Sequence, residues 1–147
     1  MKETEKGFRD EFSFLSNFCD FETPMLYAGL VYRTNEHFYQ AMKFTDSGIR
    51  KDISVHTKKG LKRFVKMHSR FIRDGWHSKK IAVMKYGLEY KFSTKNPSLR
   101  QKLIDTGNIE LIEYNWWNDK FWGVSLKDGE GENNLGEILM AIRSEIQ

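Results

Sequence analysis

The sequence predicts an α+β fold, predominantly α-helical, in a compact single domain over residues 1–147 with a small N-terminal β element. Three observations predict it. The chain has 147 residues with no repeat, low-complexity tract or linker, the length of one ordinary domain with its own core. From Phe38 onward, apolar side chains recur with a 3.6-residue period in several stretches. Before them the chain is rich in Phe and turn residues and lacks that period, which suits strands.

Gly7 to Phe21 reads as a strand, a turn at Ser16-Asn17, and further extended chain. Pro24, the run Tyr27 to Tyr32 and a turn near Gly29 predict a hairpin leading into the first helix. Thr34 or Asn35 caps that helix, because a short side-chain oxygen accepts from one of the first free backbone N–H groups. Phe38, Ala41 and Met42 then face a core, while Glu36, Gln40 and Lys43 form a polar ridge opposite. Such a ridge is either a solvated face or the floor of a pocket. A loop at Asp46-Ser47-Gly48 leads to one or two basic helices ending near Arg73. Their stripe Leu61, Phe64, Val65, His68 faces inward, with His68 a structural histidine. Ser78 caps the next helix, which carries Ile81, Met84, Leu88 and Phe92. Asn96-Pro97 opens another that stops before Gly107. Ile109 to Tyr114 reads as a short strand and Asn115 to Gly123, with its three Trp, as a loop. Gly129 to Gly136 lacks the glycine spacing of a dinucleotide fingerprint. It leads into a last amphipathic helix whose N-terminus can hold an anion.

Charge is unevenly placed. Residues 50–80 hold eleven Lys and Arg against two Asp, a net +9, which leaves −5 on the rest of a chain of net charge +4. A phosphate-bearing ligand or nucleic acid fits this, as does a lysine-rich solvated surface. The one cysteine, Cys19, excludes an intrachain disulfide, suits a reducing compartment, and reads as a buried small hydrophobe rather than a nucleophile. No run is long and apolar enough to span a membrane, and the N-terminus lacks a signal-peptide core, so the chain reads as cytoplasmic without a membrane partner. No His or Cys pair stands at ligand spacing, so neither metal nor cofactor is expected.

Several blocks taken in order resemble one family. They are Phe14-Leu15-Ser16-Asn17-Phe18, Thr34 to Phe44, Asp74-Gly75-Trp76, Met84 to Phe92, Asn118 to Gly123, and Gly131 to Met140. Their order is similar to that of the NADAR, or YbiA-like, family over nearly the whole chain. Asn35 stands where many members carry Ser, and Asn115-Trp116-Trp117 is an unusual lead into the Asp119 block that can alter substrate choice. The resemblance implies a compact, mostly helical fold and a metal-independent N-glycosidase. Its substrates would be ribosylamine phosphates of early riboflavin synthesis or ADP-ribosyl-guanine, the latter also within nucleic acid. It implies roles for Glu36, Trp76, Asp119 and Trp122, with Asn17, Lys43, Gly123 and Asn133 as further pocket candidates.

Chemistry makes that set coherent. Breaking a ribosyl C–N bond builds positive charge at the anomeric carbon, which a carboxylate stabilises while a second manages a proton or water. Glu36 and Asp119 fit those roles. Trp76 and Trp122 can stack on the departing base, and Asn17 and Asn133 can meet ribose or phosphate oxygens. Lys43 has two readings, an amine that forms an imine with the opened sugar or a salt bridge to Glu36. Two other functions stay open: a non-catalytic module binding an ADP-ribose-like nucleotide or single-stranded nucleic acid, and a helical protein-interaction domain.

Overall fold

A computed structural model describes residues 7–147. It is predominantly helical, with four short strands in two two-stranded sheets. Contacts divide the chain into two units, Asn17–Lys91 and the chain up to Ser16 with Phe92–Gln147.

In the first unit, β1 (Asp20–Tyr27) and β2 (Leu30–Thr34) form the expected antiparallel hairpin. Ala28 and Gly29 both take positive φ at the turn, which matches the right-handed twist of the strands. Phe21, Met25 and Tyr32 point inward, whereas Leu26 and Val31, paired across the strands, are exposed. The chain passes directly into α1 (Asn35–Ala41), then α2 (Ser47–Ser54), capped by Asp46, whose Oδ1 accepts from Ile49 N at 2.8 Å. Next come α3 (Leu61–Met67), a 3-10 turn at Ser69–Phe71 and α4 (Trp76–Lys91). Phe38, Ala41, Met42, Phe44, Ile53, Leu61 and Val65 join the hairpin residues in one core. His68 is structural as expected, its Nδ1 lying 2.8 Å from Phe64 O. Cys19 is half-buried rather than buried, with Sγ 3.7 Å from Asp20 O, because it precedes the strand at the unit's edge. Ser78 lies inside the first turn of α4 and donates to Gly75 O at 2.8 Å, so it does not cap.

The second unit holds a 3-10 helix (Asp10–Leu15), α5 (Pro97–Asp105), β3 (Tyr114–Asn115) parallel to β4 (Val124–Ser125), and α6 (Asn134–Ile146). The strand expected within 7–21 is replaced over 10–15 by that 3-10 helix. Three residues per turn place Phe12 and Leu15 on one face, and both are buried. The strand expected over 109–114 shrinks to Tyr114–Asn115, because side-chain atoms of Asn133 occupy Leu111 O and Glu113 N. α5 starts at Pro97 as expected, although Asn96 makes no side-chain cap bond. Arg143 of α6 is buried and closes the end of α5 by donating to Thr106 Oγ1 at 2.9 Å and Ile109 O at 2.8 Å. Among the described residues no helix is long and apolar enough to cross a membrane, and no group of three or more His, Cys, Asp and Glu could hold a metal ion.

Candidate active site

The candidate residues of the first unit gather around α1. Thr34 leaves β2 with extended backbone, and its Oγ1 accepts from His37 N at 3.0 Å, which puts Glu36 in the first turn of the helix. Glu36 N donates to Asn17 O at 2.9 Å, and Asn35 Nδ2 donates to Asn17 Oδ1 at 2.9 Å. Asn35 also lies 3.3 Å from Met84 Sδ on α4. This closeness requires Gly87, since a Cβ there would collide with the Asn35 side chain. Asn17 therefore braces the start of α1 with both its carbonyl and its amide.

The consequence is that the polar ridge of α1 is not a solvated face. Glu36 is 6% exposed and Gln40 5%. Gln40 Nε2 donates to Glu36 Oε2 at 2.5 Å, so a carboxylate that would be costly to bury alone has a partner. That bond fixes the amide's orientation and leaves Gln40 Oε1 buried without a hydrogen-bond partner among the described residues.

Lys43 follows at the end of the ridge. Burial pushes its pKa below the ordinary lysine value; Glu36 opposes the shift, and the nearby cations Lys62 and Lys80 add to it. Its Nζ lies 5.5 Å from the centre of the Tyr39 ring, which meets Trp76 edge-on at 5.2 Å. Lys62 Nζ in turn lies 5.7 Å from the Phe18 ring. The salt bridge considered between Lys43 and Glu36 is not formed, for no ion pair joins them among the described residues. Glu36, Lys43, Trp76 and Asn17 are thus placed around one helix. Sequence reasoning missed Gln40's bond to Glu36, the ring of Tyr39, and the singling out of Lys62 and Lys80 from the basic run. Gln40, four residues after Glu36, was the signal for the first.

The second unit carries the other candidates on one braced loop. Asn115 is buried; its Oδ1 accepts from Asp119 N at 2.8 Å and its Nδ2 donates to Asp119 O at 2.8 Å. Trp116 and Trp117, inside that closed loop, are 59% and 58% exposed. Asp119 Oδ1 accepts from Phe121 N at 3.0 Å and Trp122 N at 2.9 Å, so the carboxylate shapes the turn that carries Trp122. Gly123 packs on the backbone of Glu113, where a Cβ would lie 2.8 Å from Asn115 Nδ2 and closer still to Glu113 O.

The start of α6 locks onto this loop. Asn133, Asn134 and Leu135 donate their backbone N–H groups to Gly123, Phe121 and Trp122 carbonyls at 3.2, 3.1 and 3.0 Å. Those donors are occupied, so the expectation that this helix N-terminus holds an anion is corrected. Asn133 has left-handed backbone, with its amide bonded to Leu111 O at 2.9 Å and to Glu113 N at 3.0 Å. Asp119, Trp122, Gly123 and Asn133 therefore form one cooperative piece of structure.

Comparison with known proteins agrees with the fold. The family model of the NADAR domain matches residues 3–147. The N-glycosidase YbiA of Shigella boydii is 33% identical over 138 residues, 93% of this chain and 83% of that protein. A riboflavin biosynthesis protein of Vibrio vulnificus is 33% identical over 135 residues, 91% of this chain but 35% of that protein, so the chain spans about a third of its length. Among solved structures, the NMR structure of Escherichia coli YbiA superposes with a TM-score of 0.79 at 31% identity, covering 99% of this chain and 82% of that one.

Proposed function

The chain belongs to the NADAR family, and on that premise we propose that it is an N-glycosidase that hydrolyses the bond between a ribose carbon and the nitrogen of a nucleobase-like ring. The observation that carries this reading is the Glu36 carboxylate, buried, oriented by Gln40, and accompanied by the lowered-pKa amine of Lys43. As the C–N bond lengthens, positive charge grows at the anomeric carbon, and a fixed carboxylate out of water stabilises it more than a solvated one would. A sugar hydroxyl donating to Gln40 Oε1 would satisfy that buried acceptor.

Lys43, depressed in pKa and not ion-paired to Glu36, can act as nucleophile. Its neutral amine adds to the aldehyde-level carbon of the opened sugar, the ring amine departs with a proton, and water hydrolyses the resulting imine to free sugar and lysine. Lys62 and Lys80 suit the substrate's phosphate. Trp76 suits the flat base, and the family resemblance adds Asp119 as a further candidate carboxylate and Trp122 as a further candidate stacking ring, on the loop that Gly123 and Asn133 support. The substrates that fit are a ribosylamine phosphate of riboflavin synthesis, in keeping with the name of the Vibrio relative, and ADP-ribosyl-guanine.

The test is incubation with both substrates and mass detection of the released base or amine. Glu36→Gln is expected to lose about a hundredfold or more in rate while its thermal unfolding stays within a few degrees of the parent. Full activity in that variant removes Glu36 from the chemistry. Borohydride added during turnover is expected to fix the sugar on Lys43 as a secondary amine; a labelled sugar that never appears on the Lys43 peptide leaves water as the attacking group. Release from neither substrate overturns the glycosidase reading in favour of a binding module.

A further inference from the structure

We propose that Asn35 and Gly87 are a matched pair of positioning residues: the amide seated against the glycine sets how closely α4 stands to α1. It thereby sets the gap between the Glu36–Lys43 ridge and the Trp76 and Lys80 side chains. For its effect on turnover the inference rests on the glycosidase reading, whereas the spacing itself does not. Trp76, Lys80, Met84 and Gly87 follow one another at steps of four, four and three residues, so they lie along one side of α4. Each of them meets α1 or the residues just after it. Trp76 packs edge-on against Tyr39 at 5.2 Å, and Lys80 stands close enough to Lys43 to help push its pKa down. Met84 Sδ lies 3.3 Å from Asn35 Nδ2, and Gly87 faces Asn35 and Phe38.

A glycine inside a helix costs stability relative to alanine, so Gly87 needs a reason in its surroundings. The reason is contact. A Cβ built there would lie 3.1 Å from the Phe38 ring and 2.8 Å from Asn35 Cγ, and closer still to Asn35 Oδ1. Asn35 is buried, and its Oδ1 has no hydrogen-bond partner among the described residues. A buried acceptor left unmet is unfavourable, so the amide's place is fixed by its other atoms. Its Nδ2 donates to Asn17 Oδ1 at 2.9 Å, and Asn17 Nδ2 lies 3.5 Å from the same Met84 Sδ. Asn17 O in turn accepts the Glu36 N–H at 2.9 Å. One amide thus ties the start of the Glu36 helix to α4, and the missing Cβ lets it do so at short range. The charged groups that face Lys43 come from three elements: Glu36 on α1, Lys62 on α3 and Lys80 on α4. Moving α4 away withdraws Lys80 and opens the site to water, and both changes raise the Lys43 pKa.

Competitive acetylation of the folded protein across a pH series, followed on the Lys43 peptide by mass spectrometry, reads the Lys43 titration without any substrate. Gly87→Ala is expected to move that titration to higher pH. It should also lower kcat/KM on the ribosylamine phosphate by up to about a hundredfold, the effect of a small misplacement. The rising limb of its pH–rate profile should move in the same direction. N35S/G87A replaces the amide with a shorter side chain that keeps a donor for Asn17, and both readouts should return to those of the parent. Lys85→Ala, an exposed change on the same helix, should leave the Lys43 titration in place. If Gly87→Ala does not fold, Asn35→Gln, one methylene longer into the same gap, reads the same displacement. The proposal is overturned if Gly87→Ala leaves Lys43 titrating as in the parent, or if N35S/G87A is shifted as far as Gly87→Ala. It is also overturned if Lys85→Ala moves the titration equally. A parent that releases no base from either substrate sinks the glycosidase reading alone, because acetylation still reads the spacing.

Discussion

At the scale of single residues, Lys43 and Lys91 show the same physics with opposite uses. Burial lowers the pKa of both. In Lys43 this raises the fraction of neutral amine available as a nucleophile, so the rate is expected to climb as pH rises through its depressed pKa. Lys62→Met and Lys80→Met remove cations that push that pKa down, and each should move the rising limb of the pH–rate profile to higher pH. A limb that stays put in both variants argues against Lys43 as the titrating nucleophile. Lys91 is fully buried, with a pKa of about 8, Cys19 opposing the shift. Its folded pKa lies below its unfolded value of 10.5, so between pH 8 and pH 10.5 the unfolded chain binds more protons and stability rises with pH. The gain is on the order of 3 kcal/mol across that window, and chemical denaturation at pH 8 and pH 10 measures it. Lys91→Met should flatten the slope by the share that Lys91 contributes. Lys43 was legible from its motif, whereas no local pattern in the sequence marked Lys91 as buried.

At the scale of elements, Asp119 separates shape from charge. Its Oδ1 holds the N–H groups of Phe121 and Trp122, a job that an amide oxygen can also do. Asp119→Asn is therefore expected to keep the parent's melting temperature while reducing turnover, whereas Asp119→Ala should lose about 1–2 kcal/mol of stability as well. Equal stability loss in both variants would mean that the negative charge, rather than the acceptor, shapes the loop. The longer helices α4, α5 and α6 were legible because each repeats its apolar residues over two or more turns, and the seven-residue α1 was legible from its cap and motif. The short pieces were not. In residues 10–15 the buried Phe12, Phe14 and Leu15 fit a strand by alternation and a 3-10 helix by threes, and a window of six cannot separate the two. Ile109 to Tyr114 has strand composition, but the partner that takes its backbone groups is the side chain of Asn133, some twenty residues on. No local pattern announces such a partner.

At the scale of the whole molecule, the uneven charge was the most legible feature, because a sum over residues does not depend on how they pack. What the sum could not tell was which cations serve Lys43, since Lys62 and Lys80 are drawn to it by the folding of α1, α3 and α4. A net +9 in thirty-one residues also implies self-repulsion in the native state. Multivalent phosphate should relieve it by binding the folded chain, whereas added chloride only screens it. Tripolyphosphate at about a hundred times its dissociation constant is expected to add about 3 kcal/mol, or roughly 5–10 °C in melting temperature, compared with sodium chloride at equal ionic strength. Because Lys62 and Lys80 stand beside Lys43, K62M/K80M should remove part of the shift. If chloride alone reproduces the whole effect, the basic middle of the chain is merely a screened surface, and its charge carries no binding function.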